Sequence, residues 1–122
     1  MSAEITFQEE VRRWLAACFP PAARADREER THRFLEEALE LAQACGCSRA
    51  DALALVDYVF DRASGEAEGE VGGVMVTLAG LCGAFRLNMH EAGDRELKKN
   101  WARIEAIRAK RQAKPIGSPL PQ

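Results

Sequence analysis

The stretch Arg33-Phe34-Leu35-Glu36-Glu37-Ala38-Leu39-Glu40-Leu41 decides the fold. On a helix, Glu37 and Glu40 share a face, and so do Glu36 and Glu40, one turn apart. Leu35, Leu39 and Leu41 crowd around them. A second acidic group, Glu66-Ala67-Glu68-Gly69-Glu70, repeats the pattern with Glu66 and Glu70. It runs directly into Val71-Gly72-Gly73-Val74-Met75-Val76-Thr77-Leu78, an apolar segment expected to be buried. Glutamates on helices are usually solvated surface. The apolar neighbours argue otherwise here, because a carboxylate at the edge of an apolar stripe is partly desolvated and needs a partner. A hard divalent cation such as Mg²⁺, which takes oxygen ligands, relieves that crowding.

Outward from these clusters the chain reads as helices throughout. Phe7, Val11, Trp14, Leu15 and Cys18 recur at helical spacing over about 5–18, and Pro20-Pro21 ends that segment. A second helix spans about 26–45, with Asp26 and Glu29 as a capping box and Gly46 as its C-cap. Ser48 and Asp51 open a third, which carries Tyr58 and Phe60. A fourth covers about 66–85, with glycines at 69, 72, 73, 80 and 83. Each of these weakens an isolated helix by up to ~1 kcal/mol, and close helix–helix approach is the expected compensation. Asn88 or Gly93 opens the last helix, which runs to about Ala113 with Leu97, Trp101, Ile104 and Ile107 as its apolar stripe. Tyr58, Phe60 and Phe85 are expected in the core, His32 and His90 on the surface. Arg30 and Arg33, one turn from the first cluster, are expected to pair with it. No strand-like alternation and no internal repeat occur, so the expected fold is an all-α bundle of four or five helices. One domain over 1–114 and a flexible tail over 115–122 complete the organisation.

Composition narrows the function. The chain has 122 residues, 47% hydrophobic and 30% charged, with a net charge of −2. That charge gives no attraction to nucleic acid or anionic lipid. Basic residues concentrate late, from Arg95 to Lys114, where they suit an anionic small ligand. Cys18, Cys45, Cys47 and Cys82 form no zinc pattern. They read as free thiols of a reducing compartment. The N-terminus lacks an apolar signal region and no run approaches membrane-spanning length, so the cytoplasm is expected. No glycine-rich phosphate loop, no Gly-x-Ser-x-Gly and no Cys/His couple appears. A carboxylate-rich metal site faced by a basic helix remains, and it suits hydrolysis of a phosphoanhydride.

At these residues the chain resembles a family. Glu36-Glu37-Ala38-Leu39-Glu40 looks like the Glu-Glu-x-x-Glu motif of the MazG-like all-α nucleoside triphosphate pyrophosphohydrolases, and Glu70-Val71-Gly72-Gly73 resembles their second motif, Glu-x-x-Asp. The resemblance covers about 26–112. It is strongest to short single-domain members from phages and proteobacteria, including the MazZ type that hydrolyses dGTP and GTP. It implies a MazG-like bundle, assembled as a homodimer or homotetramer in a bacterial or phage-infected cytoplasm. It further implies two or three Mg²⁺ or Mn²⁺ ions held by Glu37, Glu40 and Glu70, with Glu36 next. The implied reaction converts a (d)NTP to its monophosphate and pyrophosphate by attack of water on the α-phosphorus. Neither a nucleic acid polymer nor a membrane is an implied partner. Lys98, Lys99 and Asn100 resemble the family's phosphate-side region. Trp101 suits either core packing or stacking on a purine.

One departure is plain. Gly73 stands where the family's second motif has Asp. Glu66, Asp57, Asp61 and Asp94 are the carboxylates available to replace it. The alternative is a catalytically silent adaptor or nucleotide-binding protein on the same fold.

Overall fold

The computed structural model describes residues 4–113. Among these residues the chain is all-helical: α1 (Phe7–Cys18), α2 (Pro21–Arg24), α3 (Arg27–Ala44), α4 (Arg49–Phe60), α5 (Ala67–Ala84), α6 (Met89–Ala102) and α7 (Ile104–Ala113). The expected tail over 115–122 lies outside the described residues.

Local chemistry explains the boundaries. Thr6 accepts the Glu9 amide at 3.1 Å and starts α1. Pro21 ends nothing by itself; it takes the first position of the one-turn helix α2, where its missing N–H costs no bond. Asp26 accepts the Glu29 amide at 3.0 Å, one half of the expected capping box. Past α3, Gly46 adopts φ +92°. This lets the Cys47 amide reach the Ala42 carbonyl at 2.9 Å and the Gly46 amide reach Gln43 at 3.0 Å, a Schellman closure. Ser48 caps α4 by accepting the Asp51 amide at 3.1 Å.

Among the described residues, seven helices replace the expected four or five for two reasons. The short α2 was read only as a break. The last helix divides at Arg103, whose amide bonds Asn100 three residues back, at 3.1 Å, in a tighter turn. The Arg103 guanidinium donates to the Asn100 side-chain oxygen at 3.2 Å in the same turn.

The chain divides into two compact units. Unit 1 joins the chain up to Arg33 with the chain from His90 onward. In it, α1 packs on α7 and α2. Trp14 and Phe19 meet edge to face, centroids 6.0 Å apart, and Arg30 stacks on Phe19 at 5.4 Å. Gly93 gives the Phe7 ring room, since a Cβ there would stand 3.2 Å from Phe7 Cζ. Cys18, Ala23 and Leu97 are its buried apolar residues. His32, expected at the surface, is half-buried, and its Nδ1 is enclosed without a hydrogen-bond partner.

Unit 2 is Phe34–Met89. It carries the second part of α3 with α4 and α5. Neither α4 nor α5 buries a residue. The expectation of a buried 71–78 segment and of Tyr58, Phe60 and Phe85 in the core is therefore corrected. Phe60 is 80% exposed and Val76 73%. The reason is geometric: three helices that touch sparingly enclose no interior, however apolar their sequences.

Candidate functional site

The two acidic motifs fall in the same unit. Glu36, Glu37 and Glu40 lie midway along α3, Glu36 half-buried and the other two exposed. Glu70 sits in the first turn of α5, behind the N-cap Glu66. Carboxylates are favoured there by the unpaired amides and the positive end of the helix. Glu70 folds back over Gly65: its Oε2 lies 3.4 Å from where a Cβ of Gly65 would stand. The sequence marks Gly65, with Ser64, only as the end of the connection before α5. Its signal was its place, five residues before a candidate ligand, at the tip of the loop that delivers it.

The desolvation argued from the leucines does not reach Glu37 and Glu40. Leu35 and Leu39 are about half exposed, beside these two exposed carboxylates, and only Glu36 is half-buried. Arg30 faces Glu29, 3.6 Å away.

Charge is divided between the units. Residues 34–89 contain nine acidic side chains against three arginines and no lysine. The remaining residues carry ten acidic and fourteen basic side chains. A net charge near zero for the chain thus conceals an acidic unit suited to cations.

In donor chemistry, four glutamates fit a hard divalent ion, which prefers carboxylate oxygen. In placement, no group of three or more His, Cys, Asp or Glu side chains among the described residues lies close enough to hold one ion.

The four residues singled out for phosphate and base contact all belong to α6, in unit 1. Lys98 and Trp101 line one pocket of about 460 Å³, together with Ile5, Arg13, Asp94 and Leu97. Its walls carry both signs of charge over an apolar floor. Lys99 instead faces Glu96 at 3.6 Å, and Asn100 is occupied by Arg103. Unit 2 has its own open groove of about 790 Å³, lined by Ala42, Cys45, Leu55, Tyr58, Leu81 and Phe85. It is apolar and distant in chemistry from any phosphate site.

Among the described residues no single helix is long and apolar enough to cross a membrane. Comparison with protein-family models, with curated proteins and with solved structures finds no match to this chain.

Proposed function

We propose that this chain is a metal-dependent nucleoside triphosphate pyrophosphohydrolase of the MazG-like kind, acting on a purine (d)NTP such as dGTP or GTP. The observation that carries the reading is the presence of both acidic motifs in one unit. Glu36, Glu37 and Glu40 on α3 and Glu70 at the start of α5 occur in one all-helical unit in which acidic residues outnumber basic ones three to one. Glu37, Glu40 and Glu70, with Glu36, are the proposed ligands of Mg²⁺ or Mn²⁺. When bound, such ions neutralise phosphate oxygens and favour departure of pyrophosphate.

The chain's own part is positional. One of these carboxylates orients a water molecule against the α-phosphorus and takes its proton. The new oxygen–phosphorus bond forms as the bond from the α-phosphorus to the bridging oxygen breaks, and pyrophosphate leaves with that bond's electrons. Lys98, Lys99, Asn100 and Trp101 are proposed as substrate contacts on the resemblance of their segment alone.

Product analysis tests this. Incubation with dGTP and Mn²⁺ is expected to yield dGMP and pyrophosphate in equal amounts; dGDP and orthophosphate as the products would reject the assignment. A second reading is favoured by Gly73, which offers no ligand where the resembled motif has one. On that reading the chain is a silent adaptor, which binds a nucleotide or none and turns over none.

A further inference from the structure

We propose that Cys45 and Cys47 form a two-thiolate site for a soft, low-coordinate metal ion of the copper(I) class. Both thiols are free and half-buried, and both residues line the open groove of about 790 Å³ in unit 2. Two residues of chain span at most about 7 Å, so the pair stays close whatever the rest of the molecule does.

The turn between α3 and α4 sets the pair. The Cys45 amide still bonds back into α3, to the Leu41 carbonyl at 3.0 Å. Gly46 then takes φ +92° and turns the chain, and the Cys47 amide returns to the Ala42 carbonyl at 2.9 Å. This closed turn holds the backbone of both cysteines before an ion arrives, so binding orders side chains rather than chain. The Cys47 thiol donates to the Ser48 carbonyl at 3.6 Å, a weak bond that a metal–sulfur bond replaces at little cost.

Coordination chemistry selects the ion. Structural zinc takes four protein ligands, and calcium takes six or more oxygens. Among the described residues no group of three or more His, Cys, Asp or Glu side chains could hold one ion. Among the metals that soft thiolates select, copper(I) is the one satisfied by two sulfurs.

The surroundings suit that ion. Leu55, Leu81 and Phe85 give the groove apolar walls, which limit access of water to a bound metal. Asp51, also in the lining, favours approach of a cation. On binding, each thiol gives up its proton to solvent and no electron moves, so the complex is singly negative. The first residue of α4, Arg49, lies two beyond Cys47, and the unpaired amides of that helix end favour negative charge beside them. The inference does not depend on hydrolysis.

Anaerobic titration of the fully reduced chain with copper(I), supplied as its acetonitrile complex against a chromophoric copper(I) chelator, tests it. One ion per chain is expected to be withheld from the chelator. Cys45→Ser and Cys47→Ser are each expected to weaken binding by about a hundredfold or more, since one of two sulfur ligands is lost, and Cys82→Ser to leave it unchanged. Because a variant could fail to fold, the parent protein supplies a second reading. Copper(I) is expected to protect Cys45 and Cys47, but not Cys82, from alkylation by iodoacetamide, followed by mass spectrometry. A parent that yields all its copper(I) to the chelator, a folded Cys45→Ser or Cys47→Ser protein that binds as the parent does, or Cys45 and Cys47 alkylated as fast with copper(I) as without it, overturns the proposal.

Discussion

Gly46 and Arg86 occupy equivalent left-handed positions, one just past the end of α3 and the other just past the end of α5. Each closes its helix the same way: the Leu87 amide reaches the Cys82 carbonyl at 2.8 Å, as the Cys47 amide reaches Ala42. Only one of the two is the residue type this backbone prefers. Arg86 holds φ 56°, where a Cβ crowds its own carbonyl. Arg86→Gly is therefore expected to stabilise the protein by about 0.5–1 kcal/mol, and Gly46→Ala to destabilise it by about 1 kcal/mol. Urea unfolding of both variants checks the opposed signs.

A side chain from far along the chain closes α1. The Arg108 guanidinium donates to the carbonyl oxygens of Cys18, at 3.1 Å, and of Ala17. These are last-turn acceptors with no partner in their own helix. Arg108→Ala is expected to cost about 1–2 kcal/mol, since a charged donor to two such carbonyls is lost. Arg108→Lys should recover part of it, a point charge lacking the planar fork. Thermal unfolding of the three proteins orders them.

Cys18 is 2% exposed. Burial pushes its thiol above the ordinary range, against a smaller opposing pull from Arg108 and then Arg30. The sign of the linkage follows. The folded protein holds this proton more tightly than the unfolded chain, so the stability it contributes is present below the unfolded thiol value and is lost as pH rises through the folded one. Among the four cysteines, Cys18 is expected to react last with a thiol reagent in native buffer. Early labelling of Cys18, identified by mass spectrometry, would contradict the burial described for it.

The boundaries of α3 and the start of α4 were legible because their caps are local chemistry: Asp26, Gly46 and Ser48 announce themselves within four residues of the turn they close. The break at Arg103 was not, because a single Asn–Arg contact decides it inside an otherwise continuous helical pattern. Burial was the larger miss. Helical spacing says that Tyr58, Phe60 and Phe85 are apolar and where on a helix they point. It does not say whose surface covers them, and within the chain all three stay largely exposed, Phe60 at 80%. For the candidate site, the placing of Glu36, Glu37 and Glu40 on one helix was legible from spacing. The scarcity of basic residues in that unit, three against fourteen elsewhere, was not, since it appears only once the chain is divided at Arg33 and Met89.

The central claim is hydrolysis that depends on the paired carboxylates. Pyrophosphate release from a panel of NTPs and dNTPs, with Mg²⁺ or Mn²⁺ and with a Glu40→Gln control, tests it most directly. The account predicts metal-dependent release that ranks purines first and falls at least a hundredfold in the control, whose helix stays folded by circular dichroism. Folded parent protein that turns over no nucleotide with either metal, or a Glu40→Gln protein as active as the parent, would contradict it.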